Sequence, residues 1–119
     1  MSRRQLTDVL EVALECEIFI TDVQFVQWGR DVIFGCECHT SVNQPPIHFR
    51  LVFTDTREFR WKTYAHADIS LSVPRTELVE FAPGQSNHRR DSAILTAHFA
   101  ANFSYGILTL ETRTRRIKL

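Results

Sequence analysis

Ile47-His48-Phe49-Arg50-Leu51-Val52-Phe53-Thr54 alternates apolar and polar residues without a break, and that period of two decides the class of fold. Successive side chains of a strand point to opposite faces, so Ile47, Phe49, Leu51 and Phe53 share one side and His48, Arg50, Val52 and Thr54 the other. A helix would scatter the same residues around its axis. The octet reads as a strand with one face on a core.

Downstream, Asp55-Thr56-Arg57 reads as a three-residue turn that returns the chain as a hairpin, with Phe53 opposite Phe59 and Leu51 opposite Trp61. The other face of that hairpin would pair Arg50 with Lys62 and His48 with Tyr64. Upstream of the loop at residues 41–46, Trp28-Gly29-Arg30-Asp31 fits a two-residue turn, because Gly29 can take a positive φ at the first central position. That register sets Phe25 opposite Phe34 and Val23 opposite Cys36. Cys16, Ile18 and Ile20 alternate in one phase and Val23 and Phe25 in the other, so a bulge is expected near Thr21-Asp22.

The flanks carry other patterns. Leu6, Val9, Leu10, Ala13 and Leu14 recur three and four apart, which predicts an amphipathic helix over residues 3–15. Ile69, Leu71 and Val73 continue the alternation up to Pro74, and residues 75–81 fit either a helical turn or a short edge strand. Residues 82–90 hold turn formers and charge, and read as the longest exposed loop. Residues 93–103 are rich in Ala and follow Asp91 and Ser92, which can cap; this predicts a second helix ended by Gly106, although Ala93, Leu95, Ala97 and Phe99 also alternate as a strand would. Residues 107–118 read as a last strand with a charged outer half. The expected fold is therefore α+β: an antiparallel meander with an N-terminal helix and a second helix near the C-terminus, both packed on one face, in one domain spanning residues 1–119.

Composition supports one core, since 119 residues with 44% apolar content and nine Phe can offset chain entropy. No stretch reaches the length of about 18 apolar residues that a membrane-spanning helix needs. The N-terminus moves from Met1-Ser2-Arg3-Arg4 into Gln5, Leu6, Thr7 and Asp8 without the apolar segment of an export signal. Three cysteines, an odd number, with Cys36 and Cys38 too close in sequence to bond to one another, point to free thiols packed as small hydrophobes in a reducing, cytoplasmic setting. Fourteen basic and fourteen acidic residues cancel, which speaks against nucleic acid or an anionic membrane as the partner.

Chemistry-bearing motifs are sparse. Cys36-Glu37-Cys38-His39 offers thiolate and imidazole, the preferred zinc and iron–sulfur ligands, at a spacing that ordinary zinc knuckles do not use. Cys36-x-Cys38-x-x-Ser41-x-x-x-Pro45 resembles the opening of the CDGSH iron–sulfur motif, but Ile47, His48 and Phe49 stand where that motif requires Cys, Asp and Gly. Neither a metal nor another cofactor is expected. The histidines His39, His48, His66, His88 and His98 lack paired spacing, and no nucleophile elbow or phosphate-cradling glycine loop accompanies them, so no catalytic residues are assigned and enzymatic activity is left open.

The binding candidates are His48, Arg50, Arg57, Arg60, Lys62 and Tyr64, a basic set beside an aromatic on the outward face and turn of the expected hairpin. Such a face could hold an anionic group or stack on rings, or could simply be a solvated sheet surface. The expected function is a small non-catalytic binding or assembly domain that engages a protein partner, or a second copy of itself, through a sheet face or edge. A small-molecule or enzymatic cavity between sheet and helices is the first alternative, and anion or nucleic-acid binding by the basic strand face the second.

Overall fold

The computed structural model describes residues 16–40, 43–64, 75–84 and 89–119. Over these the chain forms β1 (Glu17–Val26), β2 (Asp31–His39), β3 (Ile47–Thr54), β4 (Arg57–Thr63), β5 (Thr76–Ala82), β6 (Arg90–Thr96), β7 (Phe99–Tyr105), β8 (Ile107–Glu111) and β9 (Arg116–Lys118). All pairings are antiparallel, in the order β4-β7-β6-β5-β1-β2-β3-β8-β9. The fold is all-β, which corrects the expected α+β class: no helix occurs among the described residues. The helix expected over residues 3–15 and the strand around Ile69, Leu71 and Val73 lie outside them.

One sheet of this order folds back on itself. The joint is β1 with β5, which pair only at Phe19 with Glu77 and at Ile20 with Thr76. Beyond it, the inner face of β1-β2-β3-β8 packs on that of β5-β6-β7-β4. Phe53 of β3 meets Phe103 and Tyr105 of β7 edge-on at 4.7 and 4.9 Å, and the Phe34 ring of β2 stacks on Phe103 at 6.2 Å. Such ring contacts add to the apolar burial that closes the two layers. Ile18, Val32, Phe34, Phe53, Ala101, Leu108 and Leu110 are wholly shielded from solvent.

The strand Ile47–Thr54 has the faces its alternation requires, with Phe49, Leu51 and Phe53 buried. The bulge expected near Thr21-Asp22 is present as a register shift between Ile20 and Asp22. The β1–β2 turn differs from expectation by two residues. Val26 pairs with Asp31, Phe25 with Val32 and Val23 with Phe34, and the turn spans Gln27, Trp28, Gly29 and Arg30. A shift of two preserves the faces, so Cys36 and Cys38 are still inward.

The second expected helix is instead β6, a tight turn and β7. Ser92, Ile94 and Thr96, then Phe99, Ala101, Phe103 and Tyr105, are buried at every second position. Local Ala preference is overridden because an inward row of period two finds a facing sheet. Residues 75–81 become β5, which has neighbours on both sides and is no edge. The final strand is broken into β8 and β9 by a turn where the Thr112 amide donates to the Arg115 carbonyl at 2.8 Å.

Asp55-Thr56 is the main departure. β3 pairs with β2 and β8, and β4 pairs with β7, so the chain crosses from one layer to the other here and forms no hairpin. The Thr56 amide donates to the Arg30 carbonyl at 2.7 Å, and its hydroxyl donates to the Gly29 and Arg30 carbonyls. Asp55 takes a left-handed φ of 52° and its amide donates to Asp31 Oδ1 at 3.3 Å. The second crossover, at Gly106, lies alongside, its amide donating to the Thr54 carbonyl at 2.9 Å.

Cys16 and Cys38 form a disulfide, with Cα atoms 6.2 Å apart, and Cys36 is a buried free thiol. This corrects the reading of three free thiols. A pairing 22 residues apart in sequence becomes feasible because Ile18 sits opposite Cys38 in the β1–β2 ladder. No described helix is long and apolar enough to cross a membrane.

Candidate functional site

The crossover at Asp55-Thr56 divides the six sequence-derived site residues between two layers. His48 and Arg50 lie on the outer face of β3, where His48 sits opposite Glu37 and Arg50 opposite Glu111. His48 Nδ1 is 3.8 Å from Glu37 Oε1, and Arg50 Nη2 is 2.5 Å from Glu111 Oε2. Arg116 Nε approaches the other oxygen of Glu111 at 3.4 Å, so this carboxylate bridges two guanidinium groups on a sheet face. Arg57, Arg60, Lys62 and Tyr64 belong to β4 and its end, opposite Ser104, Asn102 and Ala100 of β7. The expected pairs Arg50 with Lys62 and His48 with Tyr64 do not exist.

Glu37 is the hub of a second polar group. His39 Nε2 lies 2.9 Å from Glu37 Oε2, and Arg75 Nη1 is 3.5 Å from the same oxygen. The Arg75 guanidinium also covers the Phe19 ring at 4.7 Å. The His39 hydrogen bond, helped by the nearby His48 and Arg75, holds the Glu37 carboxyl below its ordinary pKa. One carboxylate thus gathers two imidazoles and a guanidinium around it. Among the described residues no three of His, Cys, Asp and Glu converge to hold a metal ion. Cys38 is consumed by its disulfide, and burial raises the pKa of the Cys36 thiol, which disfavours the thiolate a metal requires.

The most distinctive surface is the one at which β4 and the far half of β1 approach. Past Ile20, β1 leaves β5 and pairs only with β2 among the described residues. Its inward Phe25 is 54% exposed and meets Phe59 of β4 edge-on at 5.1 Å. Phe59 stacks on Phe103 at 5.0 Å, and Trp61 stacks on Phe99 at 4.1 Å while remaining 42% exposed. A cavity of about 440 Å³ opens beside Trp61, walled by Ile20, Val23 and Phe99, with Arg75 and His98 at its rim.

The β1–β2 turn stands at one end of this row of rings with Trp28 fully exposed. Gln27 and Trp28 hold φ of 53° and 63°, left-handed values that a side chain disfavours by roughly 1–2 kcal/mol per residue. The turn is nonetheless rigidly placed, because Thr56 ties its Gly29 and Arg30 carbonyls to the start of β4. Arg89 fixes the same corner. It donates to Asp55 Oδ2 at 2.8 Å and to the Asp55 carbonyl at 2.6 Å, and reaches Ser104 Oγ. The Arg89 hydrogen bond, with Arg57 and Arg30 nearby, holds the Asp55 carboxyl below its usual range.

Arg57, Arg60, Lys62 and Tyr64 of the sequence-derived set lie on β4 and its end beside this surface, whereas the sequence pattern places Phe25 and Trp61 on the apolar face and Trp28 in a turn. The available signal was a Trp inside a turn, where no core can receive it. The fold and this edge define a class, an all-β domain folded from one sheet with an aromatic rim bordered by cations. The chain matches no protein-family model, no curated protein sequence and no solved structure.

Proposed function

We propose that this protein is a non-catalytic binding domain, acting as one unit, that engages a protein partner through the rim formed by the β1–β2 turn and β4. One observation carries the reading: Trp28 is fully exposed in a left-handed turn that hydrogen bonds to Thr56 hold in place. A side chain of that size stabilises folding only through burial, so an exposed Trp on a fixed, strained turn is accounted for by what it meets outside the chain. Phe25 and Trp61, joined through the Phe59 ring, extend the exposed apolar surface. His48 and Arg50 take no part in this reading, since they lie on the outer face of β3 beside Glu37 and Glu111, away from this rim. The Cys16–Cys38 bond weighs against a strongly reducing compartment, and so against the cytoplasmic setting read from the sequence.

The test places a photo-crosslinking phenylalanine analogue at position 28 in the producing cell. The expected result is one discrete adduct, absent when the analogue stands at exposed Lys118 on the far edge. An adduct of twice the chain mass would identify a second copy as the partner. Absence of any position-specific adduct, together with unchanged sedimentation over a wide concentration range, would overturn the reading.

A further inference from the structure

The partner's chemistry can be narrowed from β4 itself, and this step rests on the binding-domain reading. β4 closes one end of the strand order, and among the described residues no strand pairs with its outer side. Arg60, Trp61, Lys62 and Thr63 are exposed in succession, on both faces, as befits a strand whose second edge pairs with no described strand. That edge has a pattern. Outward Arg60 and Lys62 alternate with inward Phe59 and Trp61, opposite Asn102 and Ala100 on the one side and Ala101 on the other.

Among the described residues Arg60 and Lys62 are within ion-pair distance of no carboxylate, in contrast to Arg50, Arg57, Arg75, Arg89 and Arg116. Lys62 only rests near the Tyr64 ring at 5.6 Å. Two uncompensated cations on an open edge keep it from pairing with like-charged strands. A second copy aligned antiparallel about Arg60 would place Arg60 against Arg60, and the bulge between Arg57 and Arg60, with Glu58 at φ 54°, limits regular pairing to the stretch from Arg60 onward.

We propose that β4 accepts an extended protein segment as an added strand, and that the segment alternates acidic with apolar residues. Its main chain would pair with the open amides and carbonyls of Arg60–Thr63. Its carboxylates would face Arg60 and Lys62, and its apolar side chains would continue the inward row of Phe59 and Trp61 over the cavity towards β1. The charges that reject a copy of β4 are those that select an acidic strand.

The chain holds two tryptophans, Trp28 and Trp61, both on this rim, so intrinsic fluorescence reads it directly. A ten-residue Glu-Val repeat peptide should change that emission and slow amide exchange at Arg60–Thr63. A Lys-Val repeat, and a peptide of the same composition with its glutamates grouped together, should do neither. The double variant R60E/K62E should weaken the Glu-Val peptide by about tenfold or more and take up the Lys-Val peptide instead. Restoring charge with R60K should rescue the original preference. Response to a twelve-residue oligothymidylate in place of the peptide would overturn the inference in favour of nucleic acid. Peptide binding without protection of β4 amides would also overturn it, as would no peptide binding at all. A position-28 crosslink obtained alongside either negative result would leave the aromatic-rim reading standing and remove only the added strand.

Discussion

Thr56 shows how much one hydroxyl can organise. Its side chain and amide hold the Gly29 and Arg30 carbonyls, so removing the hydroxyl in Thr56→Val leaves acceptors at the buried side of the turn with weaker partners. The expected cost is about 1–2 kcal/mol, with faster amide exchange at Gly29 and Arg30 than at the β2–β3 ladder. Gly84 is constrained more severely. At φ 84° a Cβ would stand 2.4 Å from the Asp91 carbonyl oxygen and 2.8 Å from its amide, backbone atoms that cannot swing aside. Gly84→Ala should lower the urea midpoint by an amount equivalent to about 2 kcal/mol or more. Asp55 provides a pH signature. Because its carboxyl pKa is depressed in the folded state, its contribution to stability is present above the unfolded value of about 3.9 and is lost as pH falls through the folded value. In Arg89→Gln a carbon-13 carboxyl titration should show Asp55 returning towards the ordinary range; an unchanged midpoint would mean Arg89 is not the cause.

At the scale of elements, the Cys16–Cys38 bond ties the first described residue to the end of β2. Closing a loop of this size constrains the unfolded chain by about 3 kcal/mol in the chain-entropy account. Both sulfurs are buried with 1% and 0% exposure, so reductant should act only on the opened protein, and reduced chain should melt lower than oxidised. Burial pushes the Cys36 thiol up as well, so iodoacetamide should label no cysteine of the native oxidised protein and a single one in denaturant. The bulge at Thr21 was legible because two apolar rows of opposite phase, Cys16-Ile18-Ile20 and Val23-Phe25, can share a core only through one extra residue. β6 and β7 were legible only as an alternative to a helix, from alternation of Ala93, Leu95, Ala97 and Phe99, whereas the buried row of β6 is Ser92, Ile94 and Thr96. Ala93, Ala97, Ala100 and Ala101 favour a helix in isolation, and only the facing sheet rewards the row of Ile94, Ala101 and Phe103 for lying flat.

For the molecule as a whole, Phe53 is the side chain on which the two layers meet, touching Phe34 of its own layer and Phe81, Phe103 and Tyr105 of the other. Phe53→Ala should cost about 3–5 kcal/mol, a large part of the stability of a domain this size. Trp28→Ala should leave the denaturation midpoint within about 0.5 kcal/mol of the parent, since the ring buries nothing at rest. Equal losses in the two variants would refute the division between core and rim.

By itself the sequence determined which way side chains point: parity along Ile47–Thr54 and along β2 follows from backbone geometry within each strand, and it survived a two-residue error in turn position. The tertiary structure alone decided which strands are neighbours. Asp55-Thr56 has the composition of a hairpin turn, yet its hydrogen bonds go to Gly29, Arg30 and Asp31, groups 24 to 27 residues away. A local pattern carries no information about partners at that separation, so the scattering of the basic residues and the exposure of Trp61 emerge only when the sheet folds over.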